Sequence, residues 1–533
     1  MQSDHQTSQL PKDGFTGLTQ NFGKDATSGF VVFLLALPLS LGIAAASGFP
    51  PIMGVLTAII GGLVATFFTG SQLSIKGPAA GLIVIVADCV GAFGGGMEGW
   101  RLALGVMVVA GIIQILMGVF KWGKFVDIFP LSAVHGMLAA IGFIIIAKQV
   151  PVLLNVDPSL AAGKGPLALF AAIPSFFANL DSQVSIIGGV SLAIMLGWGF
   201  VKHPLLKQIP APLLVLIFAV PASLMMNLGT EAPDYTLVKV GKIIDQVGIN
   251  ASAEGFSQTG IFVKFVIMVS LVGTLESLLT VKAIDMLDPW KRKADPNKDI
   301  IAIGVSNSFA GLLGGLPMIS EVARSSANVA QGARTRWANF FHGLFLLLSV
   351  LLAYQVLELI PNAALAAMLI AVGIKLAHPK EFIHMLKVGP EQLAIFITTI
   401  FFTLAKDLLV GIAAGMVLKA IIHFSRGVSP RSLFQARAAV DHESDRYVLR
   451  LGNAAIFTNY LGIKKHLDTI PEGKAIVLDL TKTAVIDHSV MENLHHFDDD
   501  YTRAGGTVEF LGLDQLKPVS AHPLAARKRS KAS

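Results

Sequence analysis

The chain has 533 residues, 53% of them hydrophobic and 14% charged, and 41 Lys and Arg against 35 Asp and Glu leave a net charge of +6. An average soluble protein carries about 25% charged residues, so these charges are too few to coat several soluble domains, and a mean hydropathy of +0.67 points the same way. Disorder, a disulfide scaffold and most nucleic-acid binders are excluded, leaving a polytopic membrane protein; the one cysteine, Cys89, has no partner for an intramolecular disulfide.

A helix needs about 20 apolar residues to cross a bilayer. Runs at 28–47, 51–75, 102–120, 128–147, 184–201, 209–230, 300–320 and 337–356 contain no Asp, Glu, Lys or Arg, and shorter ones follow at 360–374, 392–405 and 408–418. The stretch 265–281 is apolar apart from Glu276. The first run could pass for a signal peptide, but so many runs follow that it reads as the first span. With the N-terminus cytoplasmic and two short elements each crossing as part of a helix, Lys and Arg concentrate in the inner loops, as the positive-inside rule requires. About fourteen spans satisfy hydropathy and charge together, with both termini cytoplasmic in the cell (inner) membrane.

The two short elements are marked by Gly and Pro. One is Ser74-Ile75-Lys76-Gly77-Pro78-Ala79-Ala80-Gly81; the other is Gly314-Gly315-Leu316-Pro317-Met318-Ile319-Ser320, leading into Glu321. Each is third in its half of the chain. Seven spans is an odd number, so the halves have opposite topology. Interrupted segments at matching places point to a transporter's binding site, because broken backbone at membrane depth must be buried in protein or line a cavity. Helix N-termini there favour anions.

These residues resemble the SulP family, the sulfate permeases, whose animal branch is solute carrier family 26. The match runs through Gly111–Gly118, Phe129-Pro130 and Val134-His135-Gly136, then Leu275-Glu276-Ser277-Leu278-Leu279-Thr280. It continues through Asn307 to Pro317, Ala323-Arg324-Ser325-Ser326-Ala327-Asn328 and Gly332-Ala333-Arg334-Thr335. The resemblance implies seven-plus-seven inverted-repeat spans in core and gate domains, a homodimer, and an anion site between the N-termini of the third and tenth helices. That places backbone N–H groups of Ala79, Ala80 and Gly81 and of Ser320, Glu321 and Val322 on the anion, with Arg324 supplying positive charge unless it snorkels to the cytoplasm. Lys76 would strengthen anion binding or sit at the inner mouth.

Glu276 is an ionisable group in an apolar span, which by default marks function. It is expected to carry the coupling ion: a proton, or a Na⁺ held with Thr280 one turn away. The matching position is Asp in sodium-coupled bicarbonate members. Gln114 reads as an interhelical hydrogen-bond former and His135 as a satisfied core group. No catalytic or metal constellation appears, and no cofactor is expected apart from Na⁺ as one alternative.

After Ser425 about a quarter of the residues are charged, an ordinary soluble value. Strands at 447–451, 475–480 and 507–511 and helices at 460–468 and 491–499 resemble a small STAS domain. In signalling STAS proteins a phosphorylated Ser follows an Asp; here Asp487 is followed by His488 and then Ser489, which weakens that switch. The basic run from Arg527 is expected to be solvated or near anionic lipid.

The domains expected are an N-terminal segment 1–24, a transmembrane domain 25–424, a linker 425–440, a STAS domain 441–520 and a basic tail 521–533. The function expected is secondary active transport of sulfate or bicarbonate, coupled to H⁺ or Na⁺. The alternatives are a nucleobase permease of the same fold, an anion exchanger or channel, and a membrane-anchored STAS signalling protein.

Overall fold

The computed structural model describes residues 10–124, 129–203, 206, 209–233, 235–443 and 446–529. The chain divides into two compact units, one of residues 1–123 and 142–375, the other of residues 124–141 and 376–533. Among the described residues eight helices are long and apolar enough to cross a membrane, and five shorter apolar helices accompany them.

The first unit opens with α1 (Gly14–Ala46), α2 (Pro51–Leu63) and the one-turn α3 (Ala65–Phe68). Strand β1 (Lys76–Pro78) and a 3₁₀ turn (Ala80–Leu82) lead into α4 (Ile83–Ala92), followed by α5 (Gly96–Val119). Next come α6 (Leu131–Leu153), of which residues 131–141 belong to the second unit, α7 (Pro166–Ala178), α8 (Ser182–Gly197), α9 (Ala211–Met225) and the short α10 (Leu228–Glu231) and α11 (Ile243–Gln246). Then follow α12 (Thr259–Leu287), α13 (Pro296–Leu313), β2 (Met318–Ser320), α14 (Val322–Ala330), α15 (Trp337–Leu352), α16 (Tyr354–Leu357) and α17 (Asn362–Leu376).

Two expected runs are cut short. The run at 51–75 leaves helical geometry at Thr69, and the run at 300–320 ends at Leu313, where Gly314 takes φ 108°. Helix α7 was not among the expected spans; Pro166 opens it and Pro174 lies inside it. Helix α1 already begins at Gly14, inside the segment read as N-terminal.

The two halves repeat. In order, α1, α2, β1 with α4, and α5 correspond to α12, α13, β2 with α14, and α15. The fourth member of each set packs on the first two of the other: α5 lies on α12 and α13, and α15 lies on α1 and α2. Glycines allow these close approaches, as in membrane helix packing generally. A Cβ on Gly304 of α13 would stand 2.7 Å from the Gly111 carbonyl oxygen of α5, and one on Gly62 of α2 would stand 2.7 Å from the Gly343 nitrogen of α15.

The second unit contains α18 (Pro379–Val388), α19 (Pro390–Ala405), α20 (Leu408–Ser425) and the short α21 (Pro430–Phe434). An α/β region follows: β3 (Ala438–Glu443), β4 (Arg446–Leu451), β5 (Ala454–Ala455), α22 (Tyr460–Leu467), β6 (Ala475–Asp479), β7 (Val485–Ile486), α23 (His488–Arg503), β8 (Thr507–Leu511), β9 (Leu516–Pro518) and β10 (Arg527–Arg529). One sheet runs β3-β4-β6-β8, antiparallel at β3/β4 and parallel elsewhere. The other runs β5-β7-β10-β9. Tyr460, Ile463 and Leu467 of α22 and Leu494 and Tyr501 of α23 form one core with Leu449, Ile476 and Leu478 of the first sheet.

The basic tail carries structure that was not expected: Arg527–Arg529 is a strand paired with both β7 and β9, with Lys528 and Arg529 still exposed, and Ala525 and Ala526 before it are fully buried. The pairing gives the edge of β7 a partner, which an unpaired strand edge otherwise lacks. Ser530 and Lys531 lie outside the described residues. The region also begins at Ala438, three residues before the expected start.

Candidate functional site

The matched Gly/Pro elements meet. Strands β1 and β2 pair antiparallel with Lys76 opposite Ser320, Gly77 opposite Ile319 and Pro78 opposite Met318, and all six residues are buried. The surrounding helices satisfy this broken backbone. Lys76 N–H donates to Asn339 Oδ1 at 3.1 Å, Met318 N–H to Asn307 Oδ1 at 2.6 Å, Leu316 N–H to Thr57 Oγ1 at 2.7 Å and Ile75 N–H to Ser325 Oγ at 2.9 Å. Polar side chains in these apolar helices thus do what water does at a soluble surface.

That pattern corrects part of the expected anion site. The Ser320 N–H is engaged by Ser277 Oγ at 2.9 Å, and the Glu321 N–H by the Ile75 carbonyl at 2.9 Å. Two of the six expected amides are therefore committed to the fold, that of Ser320 to a side chain of α12 and that of Glu321 to the backbone before β1. Glu321 is instead the N-cap of α14, its carboxylate accepting from Arg324 N–H at 3.0 Å. Val322 opens α14 with its side chain half exposed. On the other side, Ala79, Ala80 and Gly81 are buried at the turn that opens α4, where the first N–H groups of a helix have no intrahelical partner.

Two charged side chains lie against the glycines of these elements. The Glu276 carboxyl group, on α12, covers Gly81: a Cβ there would stand 2.6 Å from its carboxyl carbon. Arg324 covers Gly77 in the same way, its Nη1 over the Cα. Arg324 is fully buried and does not snorkel; Nη2 donates to Ser40 Oγ at 3.2 Å and Nε lies 3.5 Å from Glu321 Oε2. Arg324 Nε and Nη1 and Glu276 Oε1 are buried without hydrogen-bond partners. Buried polar atoms are rarely left so, and each such case asks for an explanation. Here two guanidinium nitrogens and one carboxylate oxygen lie unpaired, their side chains packed on Gly77 and Gly81 of the first broken element. Thr280 is buried one turn beyond Glu276.

Lys76 belongs to a different arrangement. Its Nζ is 2.7 Å from Asp299 Oδ1, with both side chains fully buried. Asp299 also accepts from Thr69 Oγ1 at 2.8 Å and Ser320 Oγ at 3.0 Å. This node ties β1, β2 and α13 together, so Lys76 is a structural cation and neither expected role holds. Asp299 was missed because it stands beside Lys298 at a loop boundary; its place one turn after the Asp295-Pro296 helix start was the available signal. His342 of α15 was also missed: it is fully buried, and neither ring nitrogen has a partner.

Gln114 bridges three helices as expected, donating to Thr274 Oγ1 at 3.3 Å and accepting from Asn307 Nδ2 at 2.8 Å. His135 is partly exposed, 3.2 Å from Glu381 Oε2.

A buried pair of interrupted, oppositely oriented elements, repeated between two halves of a helical membrane protein, defines the class as a membrane transporter. The chain matches the sulfate permease family over residues 22–399, and it belongs to that family. It is 25% identical over 415 residues to the bicarbonate transporter BicA of Picosynechococcus sp., covering 76% of this chain and 71% of the relative. The solved transmembrane domain of a cyanobacterial bicarbonate transporter BicA superposes with a TM-score of 0.65 at 22% identity, over 77% of this chain and all of that one. The overall structure of SLC26A9 superposes with a TM-score of 0.67 at 15% identity, over 92% of this chain and 84% of that one.

Proposed function

We propose that the chain is a secondary active transporter of a small inorganic oxyanion, sulfate or bicarbonate, working by alternating access in the cell membrane. The observation that carries this reading is the antiparallel pairing of β1 with β2. It supports the reading because Gly77, covered by the buried and partly unpartnered guanidinium of Arg324, precedes the helix start at Ala80 and pairs with the strand that leads into α14. The substrate class follows from the family and from the relatives that transport bicarbonate. In this reading the anion meets the amides of Ala79, Ala80 and Gly81, and Arg324 supplies charge attraction.

Glu276 carries the coupling ion. Its carboxyl group covers Gly81, at the mouth of the same helix start, so an anion and an ionised Glu276 compete for one place. A proton on Glu276 removes that repulsion, which favours H⁺ coupling; Na⁺ held with Thr280 is the arm tested beside it. The C-terminal α/β region is a STAS domain in this reading, and the protein works as a homodimer.

The test is uptake of radiolabelled sulfate and bicarbonate into proteoliposomes under imposed H⁺ or Na⁺ gradients. Saturable, gradient-driven uptake of one anion is expected, and no saturable uptake of either overturns the reading. Glu276→Gln is expected to abolish accumulation while leaving exchange. Full accumulation by that variant would make Glu276 structural.

A further inference from the structure

A second cluster of buried charges lies at the C-terminal end of α20. Lys419 and His423 are one helical turn apart, and both are buried. A lysine near the end of an apolar helix ordinarily snorkels to water. Here its Nζ lies 3.1 Å from Asp487 Oδ2, donates to Ser489 Oγ at 2.9 Å and stands 4.6 Å from the centre of the Phe457 ring. His423 Nε2 is 3.3 Å from the same Asp487 oxygen, and its ring is tilted over Phe457.

The other half of the cluster belongs to the α/β region. Asp487 is the N-cap of α23: Oδ1 accepts from Val490 N–H at 2.8 Å and Oδ2 from Phe457 N–H at 2.8 Å. The carboxylate therefore joins the loop before α22, the start of α23 and the membrane helix. Apolar contacts surround it, with Val428 and Leu433 of the connecting segment packed on Ala454, Ile456 and Val485. Farther out, Ser520 Oγ donates to the Val388 carbonyl at the end of α18 at 2.8 Å.

An ammonium withdrawn from water onto a buried carboxylate is stable only while both surfaces stay together, because separating them strands an uncompensated charge on each side. We propose that Phe457, Asp487 and Ser489 form a docking surface whose partner is the last membrane helix of the same chain, engaged through Lys419 and His423. The α/β region then rides on α20 as one body instead of hanging from a tether. The junction between β7 and α23 at Asp487 is used here as a mechanical joint, and the Ser489 hydroxyl is sealed while the joint is closed.

Hydrogen exchange on the full chain in nanodiscs tests this, together with protease cleavage within residues 426–437. Neither readout depends on transport, so failure of the anion reading leaves this test intact. Lys419→Met keeps the length of the side chain without its charge, and Asp487→Asn keeps an N-cap. Each is expected to raise exchange at the start of α23 and cleavage of the connecting segment by about tenfold or more. The double variant is expected to be no worse than either single one, since coupled sites are not additive. Unchanged exchange in Lys419→Met, or additive effects in the double variant, overturns the proposal. If a single variant does not fold, the double variant decides: recovered folding supports the joint, and an equally unfolded double variant overturns it.

Discussion

Gly81 and Asp299 show how tightly single positions are constrained. A methyl group at Gly81 meets the Glu276 carboxyl carbon at 2.6 Å, so Gly81→Ala is expected to displace Glu276 and stop uptake. Overpacking of this kind costs about 1–3 kcal/mol; the protein should still purify, with a lowered melting temperature in detergent, and normal uptake would contradict the packing. Asp299→Asn leaves the fully buried Lys76 ammonium without its counter-charge. Stranding a buried charge costs about 3–5 kcal/mol, so this variant should lose most of its folded yield, and Lys76→Met added to it should recover part of that yield. Glu276 was visible in the sequence because a single carboxylate interrupts an apolar run. His342 was not, since an imidazole in an apolar helix is ambiguous until its neighbours are known.

At the level of elements, the interrupted segments are held by side chains from other helices. Ser277→Ala removes the acceptor of the Ser320 N–H. An unsatisfied buried amide costs about 1–3 kcal/mol, and the variant should melt lower and bind anion more weakly, which thermal shift with and without sulfate or bicarbonate would measure. Gly77-Pro78 and Pro317 marked where these segments are. That they pair as strands could not be read from them, because strand pairing depends on which segments the helix packing brings opposite one another. The same limit explains Ser320 and Glu321: a free helix start and the end of a paired strand look alike in sequence, and only the packing of α12 and of the segment before β1 shows that their amides are already used.

For the molecule as a whole, the C-terminal region is joined to the last membrane helix by charge. Burial alone would raise the Asp487 carboxyl, but the Lys419 ammonium, His423 and the Val490 N–H more than offset it and hold it well below the ordinary carboxylate range. A carboxylate depressed on folding contributes stability that is present above its unfolded value of about 4 and is lost as pH falls below that. Wild-type protein should therefore lose melting temperature below pH ~4 more steeply than Asp487→Asn, and parallel curves would contradict this. Removing residues 525–533 deletes β10, which bridges β7 and β9, and should open the C-terminal region to protease. Composition and periodicity alone determined that this is a helical membrane protein with two interrupted, symmetry-matched elements and a polar α/β tail, because hydrophobic runs and charge density are local properties of the chain. The tertiary structure decided which amides remain for a ligand, that Lys76 answers Asp299, and that Lys419 answers Asp487. Those are pairings between residues far apart in the chain, and a buried charge acquires its role from the group that packing brings against it.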